Sequence, residues 1–340
     1  MNRRISTLTV ALVPIVIFGV LLWLVTVPYV ALGPGPTFNT LGEVEGKEVV
    51  DIEGTEVHPT SGHLNMTTVS QRDQLSLVQA LVFWASGRDQ LVPRDLVYPP
   101  DRTREEVEEA NTRDFRESED SAEYAALHYL KYPMAITVES IDEDGPSKGK
   151  LQAGDAIDAV NNTPVADLEE FQALMKQTRP GDTIVVDYRR KNAPAGITEI
   201  TLDEHPEGEQ GFMGVNVLDA PWAPFTVDFN LANIGGPSAG LMFSLAVVDK
   251  LTTGDLNGSK FVAGTGTISG DGVVGSIGGI THKIVAAEDA GATVFLVPAE
   301  NCDEARTADT DGIELLKVET LEQAIDSMRV LSAGGEPPRC

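Results

Sequence analysis

With 340 residues, 42% hydrophobic and only 6% aromatic, the chain can bury one or two ordinary cores and still carry a small third module. Its 52 acidic residues against 25 Lys and Arg give a formal charge of -27, with no basic cluster as a local exception, so nucleic acid is not an expected partner. Two cysteines, Cys302 and Cys340, make no disulfide framework, and the absence of CxxC, HExxH or Cys/His ligand spacing means that no metal and no cofactor is expected.

Arg3 and Arg4 precede a stretch from Ile5 to Gly42 that holds no charge and is apolar at its centre, Leu8 to Val30. As a helix at 1.5 Å per residue that centre reaches roughly 34 Å, against about 30 Å of bilayer core. Residues 8–30 are therefore expected to form one transmembrane helix behind a short cytoplasmic N-terminus, residues 1–7. A cleaved signal peptide and a buried core helix are the competing readings. The run is long for the first, and for the second it is apolar on every side, with Trp23 and Tyr29 near its outer end. The basic flank favours a cytoplasmic N-terminus, which gives a single-pass protein of the cell membrane, touching lipid through residues 8–30, with its body extracytoplasmic. There Cys302 and Cys340 are free to pair, although the sequence sets no distance between them.

Gly33-Pro34-Gly35-Pro36 is a stiff exit from the apolar run. Short β-like runs at 48–52 and 62–69 and a helical pattern at 75–84 follow, within a first segment of residues 36–100. Residues 101–130 are crowded with charge at helical spacing. They read as an exposed connector with no function of their own.

Residues 131–205 form a compact β-rich module. Met134 to Val138 is apolar, Asn161-Asn162 is a tight-turn pair, and a helix at about 167–177 carries Leu168, Phe171, Leu174 and Met175 on one face. With Gly145-Pro146-Ser147-x-Gly149-Lys150-Leu151-x-x-Gly154-Asp155-x-Ile157, this module resembles a bacterial PDZ domain. The resemblance implies a peptide groove between the strand of Met134, Ala135 and Ile136 and the helix of Leu168, Phe171 and Met175, filled by an added strand. A spacer without a ligand is the plainer alternative.

Asn233-Ile234-Gly235-Gly236-Pro237-Ser238-Ala239-Gly240-Leu241 leads into an apolar helical pattern. Pro237 suits the first helical position, which puts Ser238 in the first turn, where free N–H groups stabilise a developing anion. The N–H groups of Ser238 and of Gly235 or Gly236 are the natural oxyanion donors. Alone, such a turn is ordinarily structural. Its chemical weight comes from Gly278-Gly279-Ile280-Thr281-His282-Lys283, which opens a second helix and sets Lys283 among Gly, Ile, Val and Ala. A serine needs a base, and a lysine serves as one only where burial lowers its pKa to roughly 7 to 8. His282 is the rival base, but neighbours on a helix point about 100° apart, so only one of the two faces Ser238.

Gly-Pro-Ser-Ala-Gly followed after 45 residues by Gly-Gly-Ile-x-x-Lys resembles the proteolytic domain of Lon proteases, from about Asn216 to Met328. The resemblance implies a Ser238/Lys283 dyad, and through Thr265-Gly266-Thr267-Ile268 it implies that Thr265 orients the lysine. Two positions depart from the family: Gly235 and Thr267 stand where many Lon enzymes carry acids. No Gly-x-x-x-x-Gly-Lys-Ser/Thr loop occurs, so no ATP is expected. The order of parts is similar to membrane-bound, stand-alone Lon-like proteases with an inserted PDZ domain. It implies an α+β fold in which a transmembrane helix precedes a Lon-type domain of mixed sheets, split by the PDZ module and resumed at 211–332, with a flexible tail at 333–340. It also implies an ATP-independent serine endopeptidase acting on unfolded or flexible protein, and a homo-oligomer, hexameric if ring-forming. The alternatives are a tethered PDZ adaptor without catalysis and a Ser/His hydrolase using His282.

Overall fold

The computed structural model describes residues 3–206, 208–231, 234–310 and 312–340. Helix α1 (Arg3–Leu24) takes up much of the uncharged run, and Ile15, Phe18 and Trp23 on it are exposed. Among the described residues no helix is long and apolar enough to cross a membrane. The expected span 8–30 also stops early, because Tyr29 and Val30 already belong to strand β1 (Tyr29–Asn39). Pro28 accounts for the break: it has no N–H and steers Val27 out of helical geometry. Val27 instead donates its N–H to Leu75 O at 2.9 Å.

Strands β2 (Val50–Glu53) and β3 (His63–Arg72) follow, then helix α2 (Leu77–Ser86), started by a reciprocal Ser76/Gln79 capping box, and strand β4 (Gln90–Pro93). The charged connector is one helix, α3 (Arg104–Tyr129), opened by a Thr103/Glu106 capping box. The next body comprises β5 (Met134–Ile141), β6 (Ala156–Val160), helix α4 (Leu168–Met175), β7 (Thr183–Arg189), β8 (Gly196–Thr201) and β9 (Val215–Pro221). The chain ends with β10 (Thr226–Phe229), helix α5 (Gly240–Leu251), β11 (Phe261–Gly264), helix α6 (Ile280–Asp289), β12 (Val294–Pro298), β13 (Glu314–Val318) and helix α7 (Leu321–Ser332).

One sheet runs in the order β13-β12-β11-β3-β1-β4. Here β3 lies parallel to β11, pairing His63 with Phe261 through Met66 with Gly264, while β1 lies antiparallel to β3 and β4. Strands from before and after the middle body thus complete one sheet, and the middle body is an insertion into it. That body has its own sheet, β8-β7-β6-β5-β9, and its own core of Ile136, Ile157, Phe171, Val186 and Ile200. Helix α5 is buried from Gly240 to Lys250 and fills the main core with Leu241, Phe243 and Leu245, each contributing roughly 1.5–3 kcal/mol. Its polar side chains are partly satisfied: Asp249 Oδ1 accepts from Leu256 N–H while its Oδ2 is buried without a partner among the described residues, and Lys250 Nζ donates to Glu48 and to Val50 O.

The expected flexible tail, residues 333–340, is held down instead. Lys317 N–H donates to Pro338 O, Cys340 N–H donates to Leu315 O, and Cys340 is disulfide-bonded to Cys302. The tail is pinned because its last residues add to the β13 edge. A cross-link closing a loop of this length, with 38 residues of separation, stabilises by about 3–4 kcal/mol in the chain-entropy account. Cys340→Ser is therefore expected to lower the unfolding free energy by a comparable margin, seen as a lower denaturant midpoint; an unchanged midpoint would mean that packing alone holds the tail.

Candidate active site

The serine loop lies against the segment that follows β11. Ser238 O accepts from Gly266 N–H and from Thr265 Oγ1, both at 3.0 Å, and Gly266 O accepts from Leu241 N–H. These bonds fix the loop just ahead of α5. The helix begins at Gly240 with Ala239 as its N-cap, so Ser238 precedes the first turn and Pro237 is not at the first helical position. The reason is that Ser238 O and Leu241 N–H are used across the segment rather than along the helix. Asn233, the first residue of the motif, lies outside the described residues.

Lys283 sits in the first turn of α6, its N–H donating to Gly279 O. Gly279 holds φ at +68° with Val69 close beside it, so a Cβ there would come within 2.9 Å of Val69 Cγ2; both the turn and the approach require glycine. The lysine is 3% exposed, and its Nζ lies 2.7 Å from Ser238 Oγ and donates to Thr265 Oγ1 at 2.9 Å. Because the Thr265 hydroxyl gives its own proton to Ser238 O, its oxygen is left to accept from Nζ. No ion pair to Lys283 exists among the described residues, and burial alone lowers its pKa to about 7. Lys283 Nζ donates to Ser238 Oγ as well as to Thr265 Oγ1; once the amine is neutral, its lone pair can accept the Ser238 hydroxyl proton across the same contact.

His282 faces elsewhere. It lines a separate hollow with Asp89, Thr281 and Glu304, its Nε2 is buried without a partner among the described residues, and burial lowers its pKa. It does not share the cavity of Ser238 and Lys283, which has a volume of about 680 Å³ and takes Met66, Val69, Phe115, Ile234 and Ala239 into its walls.

The connector helix α3 supplies part of that wall. Gly236 N–H donates to Asn111 O at 2.9 Å, and Ser118 Oγ donates to Pro237 O at 3.1 Å. Phe115 meets Phe243 edge to face. Two corrections follow. Gly236 cannot serve as an oxyanion donor, since its N–H is spent on Asn111, and the connector does have a task, which is to brace the serine loop. Among the described residues Ser238 N–H has no backbone acceptor, so it is left for an anion, and Gly235 borders the same cavity. A Cβ on Gly235 would lie 3.0 Å from Asn111 Cβ, so α3 occupies the room that a side chain would need there. The spacing of Phe115, Ser118, Ala122 and Ala126 was the available signal for this buried face, half hidden by its charged neighbours.

In the inserted body the open groove borders another strand than the one expected to carry it. Ile136 is buried, and β5 is paired on both edges: Ala135 and Ile136 face Ala220 and Asp219 of β9, and Ile136 faces Ile157 of β6. Met134, Ala135 and Ile136 therefore do not form the groove, because β9 has taken the β5 edge. The open edge is β9 itself, and between it and α4 lies a cavity of about 470 Å³ lined by Leu168, Phe171, Met175, Phe212, Val215 and Val217. Leu168 N–H donates to the Asp219 carboxylate, tying the start of α4 to the strand. Gly211-Phe212-Met213-Gly214 ahead of alternating Val215 and Val217 was the sequence sign of this strand.

Residues 233–330 match the family model described as the Lon protease (S16) C-terminal proteolytic domain, and residues 110–198 match the PDZ domain. Lon protease 2 of Bacillus subtilis (strain 168) is 36% identical over 208 residues, covering 58% of this chain and 34% of that protein. Lon protease of Phenylobacterium zucineum (strain HLK1) is 37% identical over 95 residues, 27% of this chain and 12% of that protein. The chain thus spans about a third of the first relative's length and about an eighth of the second's. The PDZ domain of the SdrC-like protein from Listeria monocytogenes aligns with a TM-score of 0.23 at 22% identity, over 24% of this chain and 86% of that one.

Proposed function

Because the chain is homologous to Lon proteases and carries their C-terminal proteolytic domain together with a PDZ domain, we propose that it is a serine endopeptidase in which Ser238 is the nucleophile and Lys283 its base. The observation that carries this reading is the 2.7 Å approach of Lys283 Nζ to Ser238 Oγ by an amine that burial brings to a pKa of about 7. Ser238 Oγ attacks the peptide carbonyl as its proton passes to Nζ. The new oxyanion is met by Ser238 N–H, and the ammonium returns the proton to the leaving amine as the C–N bond breaks. Water, deprotonated by the same amine, then releases the acyl group from Ser238. Thr265 keeps Nζ aimed throughout.

The reading includes no ATP step, since the 340 residues hold no phosphate loop. The β9/α4 groove is read as the site that gathers extended peptide segments. We place the body outside the cell membrane with α1 as its anchor, supported by Arg3 and Arg4 before the uncharged run and by a disulfide that suits an oxidising compartment.

The full chain in detergent is expected to cleave casein without ATP, at a rate that rises with pH through about 7, because the base must shed its proton. Absence of cleavage from about pH 6 to about pH 9 would return the chain to the adaptor reading. Thr265→Val removes both bonds of that hydroxyl at constant shape. At about 1–3 kcal/mol, turnover is expected to fall roughly 10- to 100-fold with KM little changed, and Thr265→Ser to restore it. Equal turnover in the valine variant would remove Thr265 from the mechanism.

A further inference from the structure

We infer that the outer face of α2, beside the end of α1, is a second membrane contact, a shallow docking surface for the boundary between headgroups and acyl chains. The inference rests on the anchor reading given above. Helix α2 is Leu-Val-Gln-Ala-Leu-Val-Phe-Trp-Ala-Ser, without a charge, and only Ala80 of its ten residues is buried. Leu81 is 52% exposed, Val82 59% and Trp84 72%, and the one-turn helix Arg94–Val97 adds Leu96 at 75%. A cluster of large apolar side chains this open marks an interaction surface.

The position of the cluster identifies the occupant. Leu77 N–H donates to Val25 O at 3.1 Å, Val27 N–H donates to Leu75 O at 2.9 Å, and Thr26 bridges Ser76, so the start of α2 is stitched to the residues directly after α1. A bilayer that holds α1 down to Leu24 therefore meets α2. Ten residues of helix reach only about 15 Å, half an apolar bilayer core, so α2 lies on the membrane and does not cross it. Trp23 and Trp84, both largely exposed, are of the type that settles at the interface.

Charge does not oppose the same face. Residues 72–104 hold five arginines against four aspartates, in a chain of net charge -27. Anionic headgroups repel this near-neutral zone less than the rest of the acidic body; in it Arg72 lies over the Phe83 ring and pairs with Asp89, and Arg88, after the end of α2, pairs with Asp289.

The test uses the full chain in liposomes of phosphatidylcholine and phosphatidylglycerol. Both native cysteines are disulfide-bonded, so nitroxide labels on Leu81→Cys, Trp84→Cys, Val16→Cys in α1 and the exposed control Asp309→Cys report separate places. Relaxation by oxygen, which enters lipid, is compared with relaxation by a water-soluble nickel chelate. The labels at 81 and 84 are expected to gain oxygen and lose chelate access relative to 309. If they respond to the chelate as 309 does, the inference is overturned, and the label at 16 then tells whether the anchor survives it. If 81 and 84 are shielded from both reagents, in detergent as well as in lipid, a second copy covers the face and the inference is equally overturned.

Discussion

Lys283→Met is expected to abolish proteolysis and, at neutral pH, to make the fold harder to unfold. The wild-type amine titrates near 7 when folded but near its ordinary 10.5 when unfolded, so between those values the unfolded chain holds a proton that the folded chain lacks. Wild-type stability therefore rises with pH across that window, and the cost of the buried amine, roughly 5 kcal/mol, is greatest below it. Methionine abolishes that cost but loses about 1 kcal/mol for each hydrogen bond given up, which leaves a gain of about 3 kcal/mol. Denaturation at about pH 6.5 and about pH 9.5 checks this, because the gain should shrink at the higher pH. A gain independent of pH would mean that Lys283 keeps an ordinary lysine pKa and cannot be the base.

Ser238→Ala is expected to lower kcat by roughly 10⁴-fold or more while leaving the fold intact. The loop is held through the carbonyl of Ser238 and not through its hydroxyl, so Thr265 and Gly266 keep their bonds in the variant. Steady-state cleavage of a flexible peptide, with thermal unfolding alongside, separates chemistry from stability. A variant within about tenfold of wild type would place the nucleophile elsewhere.

The pair at the centre of the site was legible in the sequence because each half is a short, self-contained start of a helix. Glycine and proline announce the Ser238 turn, and Gly279 with the apolar run after it announces the burial of Lys283. What joins distant segments was harder to read. Helix α3 carries so many charges that Phe115 and Ser118 looked incidental, although the face they define packs on α5. The groove was assigned to β5 because periodicity shows that a segment is a strand but not which neighbour completes its edge, and β9 comes from more than seventy residues later. The tail looked free for a similar reason, since neither its pairing with β13 nor its cross-link has a local sign.

The brace that α3 gives the serine loop changes what can be removed from this molecule. The stretch matching the PDZ family opens at residue 110, inside α3, one position before the carbonyl that holds Gly236. Excision along that homology boundary would carry off Asn111, Phe115 and Ser118 with the module, stripping a wall from the neighbouring cavity. A shortened chain meant to report what the module contributes must therefore keep the helix through Tyr129, or it will measure a collapsed serine loop.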